Sequence, residues 1–210
     1  MRPEIKICGI RSLSIARLCA TLPVRYIGLV FFAKSPRYIN LEMASTISRD
    51  CPESLKRVGL VVNPTPYDIE RIVKSVPLDL LQLHGQESPQ ECASMYRNFG
   101  LRTIKALGVS TTEDLKRAQD YQPYVERLLF DAKPPKGSEN PGGNAKRFNW
   151  EILSKVDFGI PYLLAGGINA ANARKALEST TASGLDVSSG VEIQKGIKCS
   201  TMIKDFLAAV

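Results

Sequence analysis

The chain has 210 residues, of which 44% are hydrophobic and 23% charged, which is typical of one globular domain or two small ones. A chain of this length can bury a core without metal ions or disulfide bonds. No stretch approaches the roughly 18 consecutive apolar residues of a transmembrane helix, and the first residues lack the long apolar run of a secretory signal. The formal net charge is +7, but the basic residues come as scattered pairs, which favours a solvated basic surface over a nucleic-acid footprint.

Eight short apolar runs, rich in β-branched residues, predict eight strands. Most are continuous, without strict alternation of apolar and polar residues, as is typical of strands buried on both faces. Their centres lie roughly 20 to 35 residues apart, which leaves room for one helix between successive strands. The predicted strands are 5–8, 26–30, 58–62, 80–83, 103–107, 128–130, 162–165 and 185–187.

Helix signals fill the gaps between these runs. Ser12 and Asn40 are of the residue types preferred at N-caps, and they begin predicted helices that end at Ala20 and Cys51. Thr112 is the predicted cap of a later helix, with carboxylates in its first turn. The further predicted helices are 67–75, 89–99, 112–121, 150–156, 172–179 and 202–208.

Strand and helix therefore alternate about eight times, which fits an open doubly wound sheet or a closed (β/α)8 barrel. Eight units in one chain favour the α/β barrel as a single domain over residues 1–210, near the small limit of that fold. Two connections, 31–39 and 132–149, are longer than packing requires. In a barrel both lie at the carboxyl ends of the strands, where binding loops and lids occur, so we interpret the second as a loop inside one domain and not as a linker.

The residues give no signal for a disulfide framework, a zinc site or a nucleotide cofactor. The cysteines are odd in number and widely spaced, without a CxxC pair, so we expect neither a disulfide framework nor a structural zinc site, and the predicted compartment is the reducing cytoplasm. His84 is the only histidine, which excludes a metal site built from several histidines. Neither GxxxxGKS/T nor GxGxxG occurs, which argues against P-loop nucleotide and Rossmann cofactor binding. The cysteines are Cys8, Cys19, Cys51, Cys92 and Cys199.

Polar side chains stand at the predicted carboxyl ends of several strands, where a barrel carries its chemistry. Cys8 ends the first strand, Asp131 the sixth and Asp186 lies near the end of the eighth, while His84 follows the fourth and Lys105 lies within the fifth. A thiol and a carboxyl that converge on one barrel mouth can act as an acid–base pair if their pKa values are pushed apart. Taken singly, each residue also has a structural explanation, as a small buried hydrophobe, a paired carboxylate or a hydrogen-bonded core histidine.

Two glycine-rich loops follow the last two predicted strands. Small residues there allow backbone N–H groups to point at an anion, and phosphate sites after strands seven and eight recur in this fold. Arg37, in the loop after the second strand, could pair with a substrate carboxylate through both arms of its guanidinium, or simply be solvated. The loop residues are Gly166 and Gly167 after the seventh strand and Ser188, Ser189 and Gly190 after the eighth.

Short motifs run in order along nearly the whole chain: KICGI at 6–10, GLVF at 28–31 with SPR at 35–37, VGLV at 58–61, LQLHG at 81–85, IKA at 104–106, LLFD at 128–131, PGG at 141–143, FNW at 148–150, LAGGI at 164–168 and GLDVSSGVE at 184–192. Together they resemble the phosphoribosylanthranilate isomerase family. The first, the LQLHG and the last segment are jointly the most specific.

The resemblance implies a (β/α)8 barrel enzyme of tryptophan biosynthesis that rearranges an aminoaldose to an aminoketose without metal or cofactor. Asp131 resembles the general acid that protonates the furanose ring oxygen and opens the ring to a Schiff base. Cys8 resembles the general base that removes the C2 proton to give an enolamine. Arg37 resembles the arginine that holds the anthranilate carboxylate, the two glycine-rich loops resemble the phosphate cradle, and Asp186 is expected to support the chemistry beside the substrate.

The sequence departs from the family pattern in two places. After Glu192 the family continues with Pro-Gly and then Lys-Asp, where this chain reads Lys195 to Cys199. Asn144 follows a glycine pair, where many relatives carry a small hydroxylated residue or glycine. Neither departure removes a proposed catalytic group.

Three alternatives stay open. A sister isomerase of histidine synthesis performs the same rearrangement with two aspartates, which Cys8 disfavours. Intact Cys8, Asp131 and Arg37 argue against a non-catalytic anion-binding barrel, and nucleic-acid binding would show affinity that falls steeply with salt. The preferred interpretation has a phosphorylated aminosugar as its partner, no nucleic-acid or membrane partner, and a monomer or a homodimer in solution.

Overall fold

Eight parallel strands, β1 to β8, close into a barrel in the computed structural model, which describes residues 2–133, 142 and 148–210. Each strand pairs with the next, and β1 pairs with β8 with Lys6 opposite Asp186. The predicted (β/α)8 barrel is therefore confirmed, and the strand ends differ from prediction by at most two residues. The strands are β1 Glu4–Cys8, β2 Tyr26–Val30, β3 Lys56–Val61, β4 Leu80–Leu83, β5 Arg102–Val109, β6 Arg127–Ala132, β7 Tyr162–Leu164 and β8 Gly184–Val187.

Helices cover the outside of the barrel in the described ranges. They are α1 Leu13–Ala20, α2 Leu41–Asp50, α3 Pro66–Ser75, α4 Pro89–Phe99, α5 Thr112–Lys116, α6 Ala173–Glu178 and α7 Ser200–Ala208, with 3-10 helices at Gln119–Tyr124, Trp150–Lys155 and Ser189–Val191. Within those ranges none is long and apolar enough to cross a lipid bilayer.

Side-chain caps explain where the helices begin. Ser12 accepts a hydrogen bond from the N–H of Ile15, and Asn40 accepts one from Met43, as the sequence predicts. The prediction for Thr112 is wrong by one residue, because the helix begins there and Thr111 is the cap residue. The predicted helices 112–121 and 150–156 are also wrong in type: the first ends at Lys116 and is followed by a 3-10 helix, and the second is a 3-10 helix.

Alternation along the strands separates two layers of core. On β1, Ile5 and Ile7 pack into the main cluster between barrel and helices, whereas Lys6 and Cys8 face the barrel interior. The interior is apolar at its lower level, so the polar side chains of interest stand above an apolar floor. That floor consists of Tyr26, Val58, Leu80, Ile104, Ala106, Leu129, Leu163 and Ala165.

A short hairpin, β9 Glu192–Gln194 and β10 Ile197–Lys198, follows β8 and is not predicted from the sequence. Gly196 lies in its turn with φ +85, and a Cβ there would stand 2.5 Å from the carbonyl oxygen of Pro36. This hairpin is built from the segment that departs from the family pattern. It brings Glu192 and Lys198 back beside the loop after β2.

Cys199 stands at the N-cap of α7, where, within the described part of the chain, its side chain makes no capping hydrogen bond. Cys199→Ser is expected to raise the free energy of unfolding by about 1 kcal/mol, because a hydroxyl can accept from the first-turn N–H groups. Urea unfolding measures this. Cys51→Ser, which changes a half-buried sulfur at the C-cap of α2, is the matched control and should bring no gain. Equal or lower stability of the Cys199 variant would contradict the capping argument.

Candidate active site

A cavity of about 660 Å³ opens at the carboxyl ends of the strands. In the part of the chain that the structure describes, the residues assigned to catalysis and binding from the sequence all line it except Gly190, whereas Lys105, also named there, lines a different cavity. A Cβ on Gly190 would collide with the carbonyl oxygen of Ile168 and stand 3.0 Å from the Cα of Asn169, so this glycine lets the loops after β7 and β8 touch. The cavity walls include Cys8, Arg37, Asp131, Gly166, Gly167, Asp186, Ser188 and Ser189.

Cys8 lies beside a buried ion pair at one wall of the cavity. The Lys6 Nζ is 2.8 Å from Oδ1 of Asp186, and Lys6 is fully buried. A Cβ on Gly28 would stand 2.7 Å from the Cys8 Sγ and 3.2 Å from the Lys6 Nζ, so the sulfur and the ammonium border the same point. Burial raises the pKa of the Cys8 thiol, and the nearby positive charge of Lys6 opposes this rise. Asp186 thus holds Lys6, a residue that the sequence analysis did not include in the site.

Asp131 stands at the end of β6, with His84 as its neighbour. Oδ1 of Asp131 accepts a hydrogen bond from the N–H of Ala132 at 2.8 Å, and Oδ2 lies 3.6 Å from Nε2 of His84. The Gln82 amide nitrogen lies 3.0 Å from Nδ1 of His84. If that amide donates, the ring proton is on Nε2 and faces Asp131.

His84 is a neutral side chain at this wall. Burial, followed by the charges of Lys6 and Lys105, lowers the pKa of His84 to about 3. A Cβ on Gly142 would collide with Oδ2 of Asp131 and stand 2.8 Å from Cε1 of His84, so the backbone at this residue passes directly over the pair. His84 thus has one side-chain hydrogen-bond contact, with Gln82, and its ring also borders the cavity.

Arg37 reaches the cavity from the loop after β2, but its guanidinium is already paired. Nε and Nη2 each donate to a carboxylate oxygen of Glu192 at 2.8 Å, and Arg37 is 6% exposed. Its stem packs on Gly9, where a Cβ would stand 2.7 Å from the Arg37 Cδ. Arginine at this position is therefore fixed beside Cys8, and it is not a solvated loop residue.

Lys198 and Ser188 connect the Arg37–Glu192 ion pair to β1, the strand that carries Cys8. Lys198 Nζ donates to Glu192 at 2.7 Å and to Ser188 Oγ at 3.1 Å, and Ser188 Oγ donates to the Cys8 carbonyl at 3.0 Å. Burial alone would raise the pKa of Glu192, but the hydrogen bonds from Arg37 and the charge of Lys198 outweigh burial and lower this pKa. The sequence could have pointed to Glu192, because this residue ends the GLDVSSGVE segment that resembles the family. It could not have pointed to Lys198, which lies in the segment that departs from the family pattern.

The loop after β7 supplies backbone to the cavity beside Asp131. Gly166 and Gly167 have φ of +85 and +67, a conformation that glycine adopts without strain. A Cβ on Gly166 would stand 2.7 Å from the backbone nitrogen of Ala132. Gly142, in the long connection 132–149, also borders this wall, whereas Pro141, Gly143 and Asn144, which the sequence analysis singled out, lie outside the described residues.

Comparison with known proteins assigns the family. The family model for N-(5'-phosphoribosyl)anthranilate (PRA) isomerase matches residues 5–209. The N-(5'-phosphoribosyl)anthranilate isomerase of Rhizobium etli (strain CIAT 652) is 44% identical over 210 residues, which are all of this chain and 95% of the relative.

Two solved structures of phosphoribosyl anthranilate isomerase share the fold. That from Thermotoga maritima is 34% identical with a TM-score of 0.89, and the match covers 99% of this chain and 98% of the other. The second, in complex with reduced 1-(o-carboxyphenylamino)-1-deoxyribulose 5-phosphate, is 34% identical with a TM-score of 0.86 and the same coverage. The resemblance stated from the motifs is thus confirmed, and the chain belongs to the N-(5'-phosphoribosyl)anthranilate isomerase family of enzymes.

Proposed function

We propose that this protein converts N-(5-phosphoribosyl)anthranilate to 1-(2-carboxyphenylamino)-1-deoxyribulose 5-phosphate, an Amadori rearrangement in tryptophan biosynthesis. The observation that carries the proposal is that Cys8 and Asp131 line one cavity of a chain in this family. They stand on β1 and β6, so a substrate in the barrel mouth has an acid and a base on different sides. No cofactor is needed for the proton transfers described below.

Asp131 is the proposed general acid of the first step. Its carboxyl proton passes to the furanose ring oxygen as the bond from that oxygen to C1 breaks, and the nitrogen lone pair forms the Schiff base. The hydrogen bond from Ala132 fixes the carboxyl, and neutral His84 adds no full charge beside it. General acid catalysis of this kind contributes roughly 10² to 10⁴ in rate.

Cys8 is the proposed general base of the second step. Its thiolate takes the C2 proton, which the adjacent iminium makes acidic, and the bonding electrons form the enolamine. Tautomerisation then gives the ketone, so the reaction is an isomerisation without net gain or loss of protons. Because burial raises the pKa of Cys8, the thiolate is the minor form at neutral pH and needs stabilisation from its surroundings.

The two anionic ends of the substrate have separate proposed partners. Arg37 binds the anthranilate carboxylate, in competition with Glu192, and the loops with Gly166, Gly167, Ser188, Ser189 and Gly190 bind the phosphate. Asp186 contributes to the site through Lys6. A monomer or a homodimer, a cytoplasmic location and a single domain over residues 1–210 stay predictions.

Arg37→Ala is expected to raise KM for the substrate about 10- to 100-fold, the equivalent of a charge-assisted hydrogen bond of about 1.5 to 3 kcal/mol. It should also lower the free energy of unfolding by about 1.5 to 3 kcal/mol, because Glu192 loses its bonds to Arg37 but keeps Lys198 as a cationic partner. Glu192→Gln is the matched control: it weakens the same pair but keeps the cation, so KM should not rise. Steady-state kinetics and urea unfolding measure both. An unchanged KM in Arg37→Ala would remove this residue from the binding site.

The direct test is an assay with freshly made phosphoribosylanthranilate that follows the loss of its fluorescence. Turnover with inorganic phosphate as a competitive inhibitor supports the substrate and the phosphate site. Turnover of the histidine-pathway aminoaldose, and none of the anthranilate adduct, would assign the protein to the sister reaction. Absence of both activities from a folded sample would refute the proposal.

A further inference from the structure

Lys6 is a buried charge that neither proposed proton transfer uses. Its side chain is fully buried in the barrel interior, with Asp186 as its salt-bridge partner. An ammonium removed from water is unfavourable unless neighbouring groups compensate it. Its position therefore needs a reason beyond packing, and the strand geometry supplies one.

Strand alternation places the Lys6 ammonium below the Cys8 sulfur. The two residues are separated by one position on β1, so both side chains point into the barrel. Asp186 lies opposite Lys6 on β8, and Gly28 lies opposite Cys8 on β2. The absence of a side chain at Gly28 is essential to this arrangement, because a Cβ would stand 2.7 Å from the sulfur and 3.2 Å from the ammonium nitrogen.

Three charged groups act on Cys8 from the elements packed around it: Lys6 on β1, Asp186 on β8 and Lys198 on β10. Burial raises the pKa of Cys8 most, Lys6 lowers it, Asp186 raises it and Lys198 lowers it. Burial also opposes the charge on Lys6, but Asp186 and then Cys8 outweigh it, so the pKa of Lys6 is raised and the side chain stays cationic. Lys6 is thus a positive charge beside Cys8, and burial makes the thiolate form of Cys8 unfavourable.

We propose that Lys6, held by Asp186, is a positioning residue that keeps a positive charge beside Cys8 and so stabilises the thiolate that takes the C2 proton. Lys6 stays protonated throughout and transfers nothing. Asp186 acts through Lys6 as its hydrogen-bond acceptor. The inference rests on the proposed function, since it deepens the role of Cys8 as base.

The test is the pH dependence of Cys8 alkylation by iodoacetamide, measured by mass spectrometry of the peptide that contains Cys8. Lys6→Met should move the midpoint to higher pH by about one unit or more, which is a tenfold lower thiolate fraction at a fixed pH below both midpoints. Lys6→Arg keeps the charge and should restore the midpoint. The alkaline rise of kcat/KM should move in parallel.

Lys105→Met is the matched control. Lys105 is also buried, on β5, four strands away from β1 in the barrel, and pairs with Glu87 at 2.6 Å, but it is not among the groups that act on Cys8. Its removal should disturb the fold as much as Lys6→Met, while the alkylation midpoint of Cys8 stays in place. An equal shift in both variants would show a general loss of structure and overturn the proposal, as would an unchanged midpoint in folded Lys6→Met.

A second variant covers the case in which Lys6→Met does not fold. Lys6→Met/Asp186→Asn removes both charges, so no buried carboxylate is left without its ammonium. The midpoint should still rise, by less, because Lys6 acts on Cys8 more strongly than Asp186 does; an unchanged midpoint overturns the proposal. Alkylation needs no turnover, so a wild-type protein that fails the isomerase assay would refute the proposed function while these curves still decide the role of Lys6.

Discussion

Replacing Asp131 by asparagine is expected to lower kcat/KM for phosphoribosylanthranilate by about 10²- to 10⁴-fold with the barrel intact. The amide oxygen can still accept the hydrogen bond from the N–H of Ala132, so the side chain keeps its place. The amide has no acidic proton for the furanose ring oxygen, and ring opening loses its acid. The fluorescence assay measures the loss, and circular dichroism reports the fold.

Asp79→Asn is the matched control for the loss of a carboxylate, here a half-buried one in ion pairs. Asp79 precedes β4 at the opposite end of the barrel, where it bonds Lys56 and Arg57. Its replacement should lower the free energy of unfolding and leave kcat/KM unchanged. Full turnover by a folded Asp131→Asn protein would exclude this carboxyl as the acid.

Cys8→Ser should give a loss of the same order, because a hydroxyl has the size of the thiol but is not a base near neutral pH. In the wild type, kcat/KM should rise with pH as long as Asp131 keeps its proton, since the pKa of the buried thiol is raised and the thiolate fraction grows about tenfold per pH unit below it. The serine variant should lack this rise. A pH series of initial rates tests both expectations.

Cys19→Ser is the control for that substitution. Cys19 is buried in α1, outside the cavity, and burial raises its pKa to about 12, so it is an inert thiol. The change should cost about 1 to 3 kcal/mol of stability through an unsatisfied hydroxyl and leave the pH profile of kcat/KM as it is. If Cys8→Ser kept the wild-type rise with pH, another group would have to be the base.

The sequence was most informative where local pattern decides structure. Continuous apolar runs predicted the strands, and because strand ends share one barrel mouth, Cys8 and Asp131 could be assigned to the same cavity before any geometry was known. The shift of the cap from Thr112 to Thr111 shows the limit of this reasoning. Both residues have the right chemistry, and the choice depends on Asp114, which accepts from the Thr111 N–H.

The ion pairs of the site could not be predicted, because their two members lie far apart in the chain. Lys6 and Asp186 are 180 positions apart, and Arg37 and Glu192 are 155 apart. A lysine inside an apolar strand has no visible partner until β8 closes on β1. The hairpin that carries Lys198 belongs to a divergent segment, so neither periodicity nor resemblance pointed to it.

Barrel closure between β1 and β8 has a consequence for synthesis of the protein. At roughly 5 to 20 residues per second, β1 leaves the ribosome on the order of 10 s before the strand that supplies Asp186. During that interval Lys6 lacks its carboxylate and the Cys8 thiol lies outside its finished pocket. The surroundings of the proposed base are thus completed only once β8 has been made, about 180 residues after β1.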